Sequence, residues 1–198
     1  MHYNAQGTAR DYYEALEYYQ RAADEGWIEA YCHLGTMCLL GQGITKDYEQ
    51  ALKYFQKSLR CFQEVERRGL AVDSSIKGEV YNNLGSMYEN GYSAPKDCKK
   101  AEEYFQKAGE FGCAEAYNAL GVMYDMDDLS SKAQKYYQKA GDMGDSTGYY
   151  NLGMLYEYFG AHEEAGGFSS KNYDVAIECY QKSANMGYAE SYNRLGEL

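Results

Sequence analysis

The chain has 198 residues, a formal net charge of −11 and a sequence pI of about 4.8, so most of its surface repels phosphate and neither nucleic acid nor an anionic membrane is an expected partner. No apolar run approaches the ~20 residues that span a bilayer, and Met1-His2-Tyr3-Asn4 does not open a secretory signal. Tyrosine (24) is abundant, Pro95 is the sole proline and β-branched residues are sparse, which favours an all-α fold.

Two blocks alternate along the chain and define two helix types, A and B. An opening B helix is expected over about 11–25. It carries Ala15 and the block Tyr19-Gln20-Arg21-Ala22, with Asp11 as its first cap and Gly26 as its terminator. The segment Tyr3 to Asp11 before it reads as an A-to-B loop. The first hairpin, about 28–69, has a worn A block, Tyr31-Leu34-Gly35-Cys38, then Gly41-Gln42-Gly43, Asp47, Ala51 and the B block Phe55-Gln56-Lys57-Ser58. From Ala51 to the next Leu-Gly leucine is 33 residues, where the other intervals are 19. The excess of 14 is close to four helical turns. The apolar stripe continues through Leu59, Phe62 and Val65, so one long helix is predicted from about Tyr48 to Arg68, either packed on its neighbour or projecting as a contact arm.

The second hairpin, about 75–111, has Tyr81-Leu84-Gly85-Tyr88, Asn90-Gly91, Asp97, Ala101 and Phe105-Gln106-Lys107-Ala108. The third, about 114–143, follows Gly112 with Tyr117-Leu120-Gly121-Tyr124, a loop shortened by four residues, Ala133 and Tyr137-Gln138-Lys139-Ala140. The fourth, about 146–186, follows Gly144 with Tyr149-Leu152-Gly153-Tyr156, seven extra loop residues within about Gly160 to Ser170, then Asp174, Ala176 and Tyr180-Gln181-Lys182-Ser183. After Gly187 a closing A helix, about 189–198, carries Tyr192-Leu195-Gly196. A helix-interior glycine costs ~1 kcal/mol against alanine. Five at one register therefore imply close approach of a neighbouring helix, with the small alanines of the B stripe expected to face the glycine and its aromatics to fill the remaining space.

These blocks, in particular Ala114 to Tyr124 followed by Ala133 and Tyr137 to Gly144, resemble the Sel-1-like repeat, a relative of the tetratricopeptide repeat. The resemblance implies a single array over 1–198, folded as a right-handed α-solenoid of stacked antiparallel helix hairpins. It also implies a non-enzymatic protein–protein interaction scaffold that grips a partner along the face lined by the A helices. Two residues before each Leu-Gly leucine the row reads Cys32, Asn82, Asn118, Tyr150 and Asn193; five before, it reads Glu29, Glu79, Glu115, Thr147 and Glu190. Peptide-clamp relatives place asparagines at the first of these positions, so Asn82, Asn118 and Asn193 are candidates to hold a partner backbone, or else to bridge neighbouring helices. Those relatives surround the asparagines with bases. Here Glu79, Glu115 and Glu190 stand instead, pointing to a protein or peptide with basic residues. Two and five residues after the leucine come Thr36, Ser86, Val122, Met154 and Glu197, then Leu39, Glu89, Asp125 and Glu157. Tyr150 and Met154 make a more apolar patch suited to an anchor side chain, unless Ala161 to Phe168 cover it.

No cofactor or metal site is expected. His2, His33 and His162 are scattered, His162-Glu163-Glu164 lacks ligand spacing, and Cys32, Cys38, Cys61, Cys98, Cys113 and Cys179 form neither CxxC pairs nor a repeating ladder. Cysteine-rich relatives linked with β-lactam binding carry a repeated cysteine pair in each hairpin. This chain has none, which leaves β-lactam binding or hydrolysis a remote alternative. Irregular cysteine usage favours a soluble protein of the cytoplasm; a removed leader would place it in the periplasm or outside the cell. Neither end carries a polar cap, so the array is expected to be part of a longer one or to stack through its open ends as a homo-oligomer.

Overall fold

The computed structural model describes residues 9–126, 130–162 and 170–198, with side chains described except at 9–10, 130, 159–162 and 170–171. The expectations for the segment before α1, the shortened third loop and His2 lie outside these residues, as do most of the fourth-loop insertion, Glu163 and Glu164, and the side chain of His162. Ten helices and no strand are present among the described residues: α1 (Ala9–Asp24), α2 (Ile28–Leu40), α3 (Tyr48–Arg67), α4 (Ser74–Asn90), α5 (Cys98–Glu110), α6 (Ala114–Met126), α7 (Ser130–Asp142), α8 (Ser146–His162), α9 (Ser170–Asn185) and α10 (Ala189–Glu197). They fall into two compact units, Met1–Phe111 and Gly112–Leu198. In the first, α2 pairs with α3 and α4 with α5; in the second, α6 pairs with α7 and α8 with α9.

Each pairing follows from contacts between the two sequence blocks. A Cβ built on Gly35 would stand 2.6 Å from the Phe55 ring, on Gly85 2.7 Å from Phe105 and on Gly153 2.8 Å from Tyr180; one on Gly121 would strike Tyr137. The nearest neighbour of the glycine is therefore the B-block aromatic, where the sequence suggested that an alanine would face it and the aromatics fill the space around. A bare backbone lets a flat ring lie directly on the helix, filling space that a methyl would leave open. The alanine is nevertheless fully buried, at Ala51, Ala101, Ala133 and Ala176 alike.

The lysine of the B block supplies the second contact. Its ammonium lies over the first tyrosine of the A block: Lys57 over Tyr31 at 4.3 Å, Lys107 over Tyr81 at 5.6 Å, Lys139 over Tyr117 at 3.9 Å and Lys182 over Tyr149 at 5.1 Å. All four lysines remain exposed, so one residue seals the hairpin without burying charge.

Loop geometry sets where the B helices begin. Gly41, Gly43, Gly91 and Ser93 take left-handed φ, after which Asp47 and Asp97 are extended and cap α3 and α5, accepting from the Gln50 and Lys100 amides at 2.9 and 3.0 Å. Asp11 and Asp174 were expected to do the same. Instead α1 starts at Ala9 and α9 at Ser170, which places both aspartates inside helices. Gly26, Gly112, Gly144 and Gly187 end the B helices at φ of 90 to 106°, as the sequence indicated.

As predicted, α3 runs unbroken to Arg67; it takes up about half of the excess, and the rest lies in the loop before α4 and in a longer first turn of α4. Phe62 is buried and meets the Tyr81 ring edge-on at 5.5 Å, while Leu59 and Val65 are half-buried. Near the helix end Glu66 accepts from Lys77 of α4 at 2.7 Å, and the buried Lys77 ammonium lies 4.6 Å from the Phe111 ring. The extension is docked on its neighbour through Phe62 and Glu66, and its last turn is exposed around Arg67 and Arg68.

Candidate partner-binding site

The two rows read from the sequence interlock between successive A helices of a unit. In the first unit the Cys32 thiol hydrogen-bonds Glu79, and burial, followed by the Glu79 charge, holds its pKa well above the usual thiol value. In the second, Asn118 Nδ2 donates to Thr147 Oγ1 at 3.1 Å and Asn118 Oδ1 accepts from Asn151 Nδ2 at 2.9 Å. Thr147 Oγ1 in turn donates a hydrogen bond to Asp145 Oδ1 at 2.6 Å. The residue two before one leucine thus faces the residue five before the next. Asn118 bridges α6 and α8 and keeps one N–H and one lone pair for anything else.

The remaining candidates are spread over the fold. Asn82, on α4, is half-buried and Asn193, on α10, is exposed; neither has a hydrogen-bond partner among the described residues. Glu115 and Glu190 are exposed at the starts of α6 and α10. Glu115 accepts from Cys113 Sγ at 3.3 Å; burial above all pushes that thiol up to about 12. Tyr150 packs between Tyr180 and Tyr188, with ring centroids 5.6 and 5.0 Å away.

Met154 is where the candidates meet a cavity. An open groove of about 390 Å³ lies between α6 and α8, lined by Asp125, Met126, Tyr137, Asn151, Met154, Leu155 and Tyr158. Its apolar rim is unusually exposed: Met126 at 78%, Tyr158 at 59% and Met154 at 46%. Met126 and Tyr158 escaped the sequence reading because they stand six after the leucine, in the last turn of an A helix. That row reads Leu40, Asn90, Met126 and Tyr158, and its apolar bias was the available signal.

The acid five after the leucine has a structural partner wherever the B-block aromatic is tyrosine. Tyr180 donates to Glu157 Oε2 at 2.7 Å, and Glu157 Oε1 also accepts from Arg194 at 2.6 Å. Tyr137 hydrogen-bonds Asp125, and burial first, then this acid, raises its pKa. In the second hairpin the aromatic is Phe105, and Glu89 has no hydroxyl to meet. Burial raises the Glu89 pKa, against a smaller pull downward from Lys96. A carboxyl whose folded pKa is raised contributes stability at low pH that is lost as pH climbs from the ordinary glutamate value through the raised one. Phe105→Tyr is expected to supply the missing donor, raise stability at neutral pH by ~0.5–1.5 kcal/mol and flatten that loss, as read by urea melts across the glutamate range. A variant no more stable than the parent, with an unchanged pH profile, would show that the hydroxyl does not reach Glu89.

Among the described residues no three metal-ligating side chains converge, and no helix is long and apolar enough to cross a membrane. No curated protein matches the sequence. The solved structures include a Sel1 repeat protein from Oxalobacter formigenes, 25% identical, with a TM-score of 0.71 over 94% of this chain and 69% of the other. The immunity protein PA5088 from Pseudomonas aeruginosa shares the fold at 20% identity and a TM-score of 0.55, over 89% and 58% of the two chains. The Sel1 repeat model matches residues 1–27, 28–61, 78–110, 114–145 and 146–188; the first stretch includes α1 and the last four fall on the four hairpins described above. This chain therefore belongs to the Sel1 repeat family, α-solenoids of stacked helix hairpins that commonly serve as protein-interaction scaffolds.

Proposed function

We propose that this protein is a non-enzymatic scaffold that takes a segment of a partner protein in the groove between α6 and α8, the segment carrying an aliphatic or aromatic anchor beside a basic residue. The supporting observation is the exposed rim of Met126, Met154 and Tyr158 around a cleft that has Asp125 among its lining residues. Methionines repack around varied apolar anchors, and a carboxylate beside them favours lysine or arginine in a chain of net charge −11. Asn118, with its remaining N–H and lone pair, stands one hydrogen bond behind the groove through Asn151. In the same reading Asn82, Asn193, Glu79, Glu115 and Glu190 offer further amide and acid contacts along the A helices. All six cysteines are free thiols, three of them buried, which supports a reducing compartment.

Panning a random peptide library on the immobilised chain tests this. Enriched peptides are expected to pair a basic residue with an apolar anchor and to bind the Met126→Glu/Met154→Glu variant at least about tenfold more weakly. Enrichment of acidic peptides, or equal binding by that variant, would overturn the groove. Unchanged binding by the Asn82→Ala/Asn118→Ala/Asn193→Ala variant would remove the asparagines from the site while leaving the groove in place.

A further inference from the structure

The face of α8 that carries Met154 continues one turn back to Tyr150, since residues four apart share a helix face and stand about 6 Å from one another along the axis. There the chemistry changes. Tyr150 and Tyr188, the residue just before α10, form an open corner, their ring centroids 5.0 Å apart and their planes at 59°. Tyr180, fully buried, holds Tyr150 at 5.6 Å, so the corner rests on the core of its hairpin. Tyr150 and Tyr188 are both half-buried, and each keeps part of its surface toward solvent.

Two carboxylates act on this ring pair. Asp145 uses Oδ1 to accept from the amide and hydroxyl of Thr147, at 3.0 and 2.6 Å, while its Oδ2 is buried with no hydrogen-bond partner among the described residues. Glu190 is exposed in the first turn of α10. Burial first, then Glu190, Tyr150 and Asp145 raise the pKa of the Tyr188 hydroxyl, so both charges are felt at the rings. Neither acid pairs with a lysine or arginine among the described residues, and the lysines that lie over other tyrosines do not lie over Tyr150 or Tyr188. Two electron-rich ring faces beside two carboxylates without a counter-charge are surroundings that hold a cation.

Given the scaffold reading above, we infer that the Tyr150–Tyr188 corner takes a second basic side chain from the same segment that the α6–α8 groove binds. Asn118 of α6 meets Thr147 and Asn151 of α8, while Asp125 shares the groove with Met154 and Tyr158, so the two helices run the same way. Asp125 therefore lies toward their ends and the ring corner toward their starts, with Met154 between the two. An anchor seated on Met154 has acid on both sides. At about 3.3 Å per residue, an extended segment covers the ~6 Å from Met154 to Tyr150 in two residues, and alternate side chains of a strand point the same way. The pattern recognised is a basic residue two positions from the apolar anchor, on the side away from the one that meets Asp125.

Titrating the full chain with N-acetyl-arginine amide, followed by NMR of the tyrosine rings, tests the corner without an anchor. The Tyr150 and Tyr188 signals are expected to shift saturably, and the neutral isostere N-acetyl-citrulline amide should leave them in place. Asp145→Asn/Glu190→Gln should weaken the arginine response at least about fivefold; Glu190→Gln alone, at an exposed position, takes its place should the double variant fail to fold. Equal shifts from the two amides, no shift at either ring, or a response unchanged in the charge variants would overturn the inference, whatever becomes of the groove. Peptides enriched by panning supply the second arm. Citrulline in place of the basic residue two positions from the anchor should weaken binding to the parent at least about threefold and leave binding to Asp145→Asn/Glu190→Gln nearly unchanged. Enriched peptides with a single basic residue would overturn the inference and leave the groove standing. Peptides indifferent to Met126→Glu/Met154→Glu, with the arginine amide still shifting both rings, would sink the groove reading and with it the place of the second basic residue beside an anchor.

Discussion

Gly85→Leu is expected to lower the stability of the first unit by about 3 kcal/mol, at the upper end of what overpacking a fixed core costs. The Phe105 ring stands 2.7 Å from where the new Cβ would sit, and Phe105 is itself fully buried, so it has no outward rotamer to escape into. The hairpin must open between α4 and α5. Helix propensity acts in the other direction, since leucine gains ~1 kcal/mol over glycine in a helix interior, and the quoted loss is what remains after it. Gly196→Leu takes the ring contact out of the comparison. With nothing within 4 Å of its Cβ, and in the last turn of α10 where helix propensity counts for less, the same substitution in the same sequence block should leave stability nearly unchanged. Urea midpoints of both variants decide the matter. Equal destabilisation at the two positions would mean that the glycine serves some need of helix A itself, and the ring contact would lose its explanatory role.

That contrast marks what the sequence made legible. The register of Gly35, Gly85, Gly121 and Gly153 revealed helices, their order and their close approach, because repetition at constant spacing survives without knowledge of contacts. It did not reveal which side chain fills the space. Alanine and the aromatic of each B block lie on one helical face, and only the crossing of the two helices selects the ring. The caps divide in the same way. Asp47 and Asp97 follow loops whose left-handed residues force an extended step, while Asp11 and Asp174 follow segments that continue as helix, a difference that one aspartate before an apolar stripe does not encode. At the candidate site, Asn118 was visible as one of a row, but its bridge to Thr147 and Asn151 depends on a helix about 30 residues further along. Met126 and Tyr158 belong to the last turn of their helices, where the packing period no longer dictates the residue. Their chemistry is this chain's own, and so it lay outside the ruler that the repeat provides.

Phe62→Ala is expected to cost about 3–5 kcal/mol, the largest single loss from a side-chain truncation in the α3 extension. Phe62 is 1% exposed and sets its edge against Tyr81, whose ring in turn stacks on Phe111 at 5.8 Å. Removing it leaves a cavity beneath the Lys77–Glu66 pair, which joins α4 to the end of α3 on the same side. Lys77 is nearly buried while Glu66 remains partly exposed, so the pair orients the extension more than it stabilises it. Lys77→Met should accordingly cost less than about 2 kcal/mol, because its stem packing is retained and no charge is left buried without a partner. A contact arm behaves in the opposite way. If the 14 added residues existed mainly to touch a partner, Phe62→Ala would leave the urea midpoint near that of the parent and weaken only binding. A large loss of stability with unchanged peptide selection assigns the insertion to the hairpin stack, where Phe62 and Glu66 dock α3 on α4 without contributing to recognition.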